Sequence, residues 1–246
     1  MTQSKQVLEA TRIFGDQNPC DGHDNLFQRM VFRYKKDPFL IPLLTRISGY
    51  HRILEIGCGQ GTDAIYVSRH DHQDRLYVGL DLSIESLQNA TTAINQDTGR
   101  LHKSPRFLVA NAESLPFPDD YFDCIYSGGV LHHTPNIRLA LREVLRVLKP
   151  GGDLFITLYR TLSPKIFTAH FIRSATNAIE FIIKKPHFFI NKFGNIGAES
   201  FWGTMIQECL GVPILNSYSK YQVLSLFSNF ENIHVRSVSA GFPLPA

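Results

Sequence analysis

Three glycines spaced two apart, in Ile53-Leu54-Glu55-Ile56-Gly57-Cys58-Gly59-Gln60-Gly61, close a short apolar run and open a helical segment. Glycine lets the backbone turn tightly and approach a ligand there, and the unpaired N–H groups that start the next helix favour a polar or anionic moiety. Gly57, Cys58, Gly59 and Gly61 are therefore candidate ligand contacts, with a plain strand-to-helix turn as the alternative reading. The dinucleotide pattern G-x-G-x-x-G does not fit, because counting from Gly57 its last position falls on Thr62. Asp81 ends the next apolar run, in Gly79-Leu80-Asp81-Leu82-Ser83. A carboxylate at that edge accepts hydrogen bonds from both hydroxyls of a ribose, which narrows the ligand to a nucleoside. Ser83 suits the cap of the helix that follows.

Two later stretches extend the pattern. Asn111-Ala112-Glu113, followed by Leu115-Pro116-Phe117-Pro118, puts polar side chains on a loop flanked by apolar ones, which suits an adenine edge beside an apolar slot lined in part by Leu82. Ser127-Gly128-Gly129-Val130-Leu131-His132-His133 brings Ser127, two small residues that admit a ligand, and two imidazoles to one strand end. His132 and His133 titrate near neutrality and are the candidate general bases, although a lone histidine is more commonly a packed or capping residue.

The elements that must carry these residues show in the periodicity. Short apolar runs alternate with helical segments from His51 to Arg160, the signature of a parallel sheet with crossover helices. Strands are expected at Arg52–Ile56, Leu76–Leu80, Arg106–Val109, Phe122–Tyr126 and Asp153–Leu158. Helices are expected at Thr62–His70, Ser83–Ile94 and Asn136–Leu148, the last with Ile137, Leu141, Val144, Leu145 and Leu148 on one face. Residues 1–50 read as a helical lid with helices at Arg29–Tyr34 and Phe39–Arg46, 51–160 as the core, 161–216 as a helical cap, and 217–246 as a helix (Lys220–Phe230) and sixth strand (Asn232–Val238) completing the core.

The 246 residues, 43% apolar and 19% charged with a net charge of +3, exclude disorder and fibrous repeats and are enough for a sizeable core. Cys20, Cys58, Cys124 and Cys209 lie too far apart for a metal-binding pair or a disulfide framework, so no metal is expected and a reducing cytoplasm is the simplest setting. No leader pattern or 18-residue apolar stretch predicts secretion or membrane crossing. Lysine and arginine are scattered, which argues against a nucleic-acid groove, while the basic, aromatic helix around Ile182-Ile183-Lys184-Lys185 allows weak contact with a membrane surface.

As a set, ILEIGCGQG, GLDLS, NAESLPFPDDYFD, SGGVLHH and REVLRVLKPGG, in this order across residues 50–160, resemble the class I S-adenosylmethionine-dependent methyltransferases, in particular the ubiquinone-biosynthesis type and related small-molecule enzymes. The resemblance implies a Rossmann-like, doubly wound, mostly parallel α/β sheet, here with N-terminal helices and a helical insertion after the fifth strand. It implies S-adenosylmethionine as cofactor, with the glycine turn on the methionine portion and ribose, Asp81 on the ribose hydroxyls, and Asn111, Ala112 and Glu113 at the adenine. Arg33, beside Tyr34, matches the position from which relatives reach the methionine tail. Two departures stand out: many relatives carry Asp at the position of Asn111, and little chain remains after Val238 for the family's antiparallel seventh strand.

Transfer of a methyl group from a sulfonium is a direct displacement that depends on alignment and exclusion of water, with a base needed if the acceptor carries a proton. The expected acceptor is a small apolar or aromatic molecule between the sheet edge and the cap, whose Phe167, Phe171, Phe181, Phe188, Phe189, Phe193 and Trp202 either line its pocket or pack the cap onto the sheet. Alternatives are a nucleic-acid or protein methyltransferase, and a non-catalytic cofactor-binding module. The oligomeric state is not legible in one sequence.

Overall fold

The structure, a computed structural model, describes residues 3–22, 25–70, 75–97, 101, 103–185, 188–189 and 206–238. Three helices, α1 (Gln3–Gln17), α2 (Leu26–Lys36) and α3 (Leu40–Ile47), precede an alternation of β1 (Arg52–Ile56), α4 (Thr62–Arg69), β2 (Leu76–Asp81), α5 (Ile84–Gln96), β3 (Arg106–Val109), β4 (Phe122–Gly128), α6 (Ile137–Val147) and β5 (Leu148–Thr157). A long helix α7 (Pro164–Ile183), a π-helical turn (Gln207–Gly211) and α8 (Lys220–Leu226) follow. The five strands are all parallel, in the order β3-β2-β1-β4-β5. The order reverses between β1 and β4, and a doubly wound sheet binds its ligand in the crevice at such a switch point.

Alternation along the strands divides the core into two layers. Leu54 and Ile56 of β1, Val78 and Leu80 of β2 and Ile125 of β4 pack with Leu141, Val144 and Val147 of α6. Ile53, Tyr77, Cys124 and Tyr126 point the other way, onto Leu40, Leu44 and Ile47 of α3 and Ala64 and Val67 of α4. Asn25 caps α2 by accepting from the Phe27 and Gln28 amides, and the helix stops at Asp37, whose backbone Pro38 restricts. Asn136 caps α6 in the same way through Arg138 and Leu139.

Several expectations need correction. The buried face of α6 is Ile137, Ala140, Leu141, Val144 and Val147, whereas Leu145 is exposed, because at about 100° per residue it falls to the side of that stripe. Val147 ends α6 and Leu148 already begins β5, opposite Phe122. Asn232–Val238 is not a strand: it has no ladder partner among the described residues, and Ile233, Val235 and Val238 are exposed. Beyond β5 the backbone pairing goes to Tyr218, whose amide donates to the Tyr159 carbonyl and whose carbonyl accepts from Thr161. No seventh strand occurs among the described residues, and residues 239–246 lie outside them.

Candidate active site

The glycine turn leaves β1 with Gly57, Gly59 and Gly61 all in the left-handed region, at φ of +77°, +50° and +71°. A Cβ on Gly57 would stand 2.2 Å from Val130 Cγ2, and one on Gly61 would stand 2.6 Å from the Phe107 ring. Two of the three glycines are thus needed as much for packing as for ligand approach. The Gly57 and Cys58 amides donate to the Leu80 carbonyl at 2.7 and 2.9 Å, which docks the turn on the end of β2. Burial pushes the Cys58 thiol well above its ordinary value, so it is a packed thiol and not a nucleophile.

Asp81 closes this arrangement. Its Oδ2 accepts from the Gly59 amide at 2.8 Å and its Oδ1 from the Ser83 amide at 2.9 Å. Burial raises the carboxyl from its ordinary value, against the opposing pull of the Ser83, Gly59 and Leu82 amides. Each oxygen keeps a further lone pair, so the group is oriented to accept from two adjacent hydroxyls. Leu82 follows it, half-buried.

On the next loop Asn111 Oδ1 accepts from the Glu113 amide at 3.0 Å, and Ala112 is buried against the core. Glu113 Oε1 accepts from the Asn136 amide at 2.6 Å, tying the loop to the start of α6. Arg146 holds the Leu115-Pro116-Phe117-Pro118 segment by donating to the Phe117 and Leu115 carbonyls at 2.8 and 2.9 Å. Across the switch point Ser127 is fully buried and donates to the Ile56 carbonyl at 3.1 Å, binding β4 to β1. Gly129, at φ +79°, has nothing within 4 Å of a built Cβ, so the cradle between the β1 and β4 ends is open there.

The lid is fastened to the same turn through Arg33, expected at the methionine tail, and through Asp63, Asp21 and Gln60, which sequence reasoning did not single out. Arg33 forms a bidentate pair with Asp63, Nε to Oδ1 at 2.7 Å and Nη2 to Oδ2 at 2.5 Å, and its Nη1 lies 3.4 Å from Asp21. These carboxylates hold the guanidinium well above its ordinary value despite its burial. Tyr126 and Tyr34 also donate to Asp63, at 3.0 and 3.2 Å. Gln60 donates to the Cys20 carbonyl at 2.5 Å while accepting from Arg29 at 2.6 Å. Behind them Glu55, fully enclosed, accepts from Tyr77 at 2.9 Å; burial and nearby Asp63 push its carboxyl up to about 8. An acid at the end of a strand otherwise facing a buried layer was the available signal for this cluster.

His132 and His133 sit on a short turn after β4. His132 is fully buried, its ring 3.8 Å from that of Tyr159 and 4.2 Å from that of His133. Burial, with His133 beside it, holds His132 well below its ordinary value, so the ring is neutral. His133 is half-buried, with Nδ1 2.6 Å from the Ile214 carbonyl. The Asn216 amide donates to the His132 carbonyl at 3.2 Å, and Gln207 donates to Asn18 at 2.9 Å, so the segment before α8 bridges this edge and the lid. The cap aromatics do not share one pocket: Phe167, Phe171 and Phe181 are exposed because Ile166, Ala169 and Ile172 take the inward face of α7. Phe188 and Phe189 pack edge to face, and Phe193 and Trp202 lie outside the described residues.

Comparison with known proteins agrees with this geometry, since the methyltransferase domain family matches residues 54–156, from β1 through β5. Residues 54–156 thus form a methyltransferase domain, which takes up less than half of the chain. This methyltransferase domain is 37% identical over 115 residues to phthiotriol/phenolphthiotriol dimycocerosates methyltransferase 1 of Mycobacterium ulcerans, covering 46% of this chain and 38% of that protein. It is 32% identical over 139 residues to the ubiquinone/menaquinone biosynthesis C-methyltransferase UbiE of Serratia proteamaculans, covering 55% of each. The chain therefore spans about half the length, or less, of these curated relatives. A solved structure from Bacillus halodurans C-125 shares the fold, with a TM-score of 0.51 at 18% identity over 76% of this chain and 66% of that one. S-adenosylmethionine is the cofactor of this methyltransferase domain family. The residues present fit it: a doubly tethered carboxylate for a ribose diol, an open cradle at Gly129 and an amide-bearing loop at Asn111.

Proposed function

We propose that the chain transfers a methyl group from S-adenosylmethionine to a small apolar or aromatic acceptor. The observation that carries the reading is the Asp81 carboxylate, tethered by the Gly59 and Ser83 amides at the sheet's switch point. Gly57, Cys58, Gly59, Gly61, Leu82, Ser127 and the loop Asn111-Ala112-Glu113 would hold the cofactor around it, with Arg33 above the methionine end. The cofactor, when bound, supplies an electrophilic methyl group on a sulfonium.

Displacement forms the acceptor–carbon bond as the sulfur–carbon bond breaks, so the acceptor must shed its proton to a nearby base. His133 is that base. A carbonyl only accepts, so the contact with Ile214 puts the ring proton on Nδ1 and the lone pair on Nε2. His132 serves as a positioning residue, its ring tilted against those of both His133 and Tyr159 and kept neutral. The aromatic surface of Tyr159 and His133 supports an apolar acceptor, in keeping with a relative that is a C-methyltransferase of ubiquinone/menaquinone biosynthesis.

Thermal unfolding with and without S-adenosylhomocysteine, with NAD as control, tests the cofactor half. Saturation at a hundredfold the Kd raises Tm by about 5–11 °C in a domain of this size, and Asp81→Ala abolishes the rise. No shift in the unaltered chain removes the reading. Mass-spectrometric detection of methylated product from quinol, phenol and fatty-acid acceptors then tests the acceptor class, and transfer only to peptide or nucleic acid overturns it.

A further inference from the structure

Helix α7 turns an apolar face away from the protein. Ile166, Ala169 and Ile172 face inward against Cys209 and Leu215, which satisfies the helix's packing. At helical spacing Phe167, Phe171, Ala175, Ala178 and Ile182 fall on the opposite side, and all are exposed. Phe167, Phe171 and Ile182 are 72%, 69% and 75% exposed, and Phe181 at the edge of the stripe is 86% exposed. This is a continuous apolar stripe along a 20-residue helix, too large to be scattered surface residues. The helix does not itself cross a bilayer: none of the described helices is long and apolar enough.

The exposed charge at the end of the stripe is positive, while Arg173 and Lys165 turn inward to the Val212 carbonyl and the Tyr159 ring. From Thr161 to Lys185 the chain carries Lys165, Arg173, Lys184 and Lys185 against a single carboxylate, Glu180, which accepts from the Phe189 amide. Lys184 ends the helix in the left-handed conformation, and both Lys184 and Lys185 are exposed at its end. A helix with phenylalanine and isoleucine outward, cations at its end and no carboxylate on its outer face has the makeup of one that lies in the headgroup region of an anionic bilayer.

We propose that α7 docks the protein on an anionic membrane surface, inserting Phe167, Phe171 and Ile182 among the acyl chains with Lys184 and Lys185 at the phosphates. The docking stands apart from the methyl transfer argued above and is tested without it.

The test is co-sedimentation of the full chain with vesicles of phosphatidylcholine alone and with about 30% phosphatidylglycerol. Binding to the anionic vesicles is expected, weakening as salt rises. The Lys184→Glu/Lys185→Glu pair weakens it by at least about 30-fold, each lysine contributing close to a factor of five at such a surface. Phe167→Ser/Phe171→Ser weakens it by at least about tenfold, with Tm unchanged within a few degrees because both rings are exposed. Failure to sediment with anionic vesicles overturns the proposal, as does binding indifferent to both pairs of substitutions. Self-association in analytical ultracentrifugation that Phe167→Ser/Phe171→Ser abolishes assigns the face to a second copy and also overturns it.

Discussion

Arg33 grips Asp63 through two parallel hydrogen bonds of 2.7 and 2.5 Å, joining a helix of the N-terminal lid to the first turn of the helix that the glycine turn initiates. Asp63 is 1% exposed, so the pair is held in a low-dielectric site where loss of one partner strands the other. Asp63→Asn is expected to destabilise the fold by about 3 kcal/mol in denaturant unfolding. Arg33→Lys, which keeps the charge but loses the fork, should recover only part of the stability. Equal stability of both variants and the unaltered chain would show that the lid is not anchored here.

Gly57 and Gly129 share a left-handed φ, at +77° and +79°, but differ in surroundings. An alanine at either carries the backbone penalty of about 1–2 kcal/mol. At Gly57 it also collides with Val130, adding about 1–3 kcal/mol. Gly57→Ala should therefore unfold at lower urea than Gly129→Ala, and Gly57→Ala/Val130→Ala should regain only part of the difference, because the Cβ at position 130 itself stands 2.7 Å from the built Cβ. Gly129→Ala, whose Cβ enters the open cradle, is expected to weaken S-adenosylhomocysteine binding in calorimetry more than it lowers stability.

Glu55 makes the stability of the fold depend on pH. Its carboxyl is raised from about 4.5 to about 8 in the folded state, so the folded protein binds the proton more tightly than the unfolded chain. The stabilisation is complete below about pH 4.5 and is lost as pH rises toward 8. Glu55→Gln removes the titration while keeping an acceptor for Tyr77. Unfolding free energies of the two proteins should diverge across this window, with a slope approaching about 1.4 kcal/mol per pH unit, the variant being relatively more stable at the alkaline end. Parallel curves would place Glu55 in its ordinary ionised form.

The two histidines should separate experimentally. His132 is held neutral by burial, so its contribution is present above about pH 6.5 and lost as pH falls below it. His132→Phe should keep the fold and flatten that acid limb, with only a modest loss of turnover. His133→Gln should leave Tm nearly unchanged but lower kcat by at least about a hundredfold for a protonated acceptor. A reversed order of effects in steady-state kinetics assigns the base to His132 instead.

Much of the core was legible without coordinates. Expected and observed elements coincide at Arg52–Ile56 and Arg106–Val109 and differ by one or two residues at Thr62–Arg69, Leu76–Asp81, Ile84–Gln96 and Phe122–Gly128. Each is bounded locally: the strands read as short apolar runs, the inner ones buried on both faces and Arg106–Val109 at the exposed edge, the helices by their 3.6-residue period, and the turns by glycine or a capping side chain. Outside the core the same logic weakened. Asn232–Val238 has strand composition but no neighbour to pair with among the described residues, and α7 has apolar residues on two faces, so composition alone does not say which packs.

The sequence by itself therefore determined the order of strands and helices, the glycine turn and the acid that follows β2, because these depend on contacts within a few residues. Only the tertiary structure decided what those residues meet. Arg33 and Asp63 are 30 positions apart, Tyr77 and Glu55 are 22, and His133 and Ile214 are 81. Which carboxylate a buried cation finds, which carbonyl sets an imidazole's tautomer, and which face of α7 is left to solvent follow from the packing of distant segments, for which no local period exists.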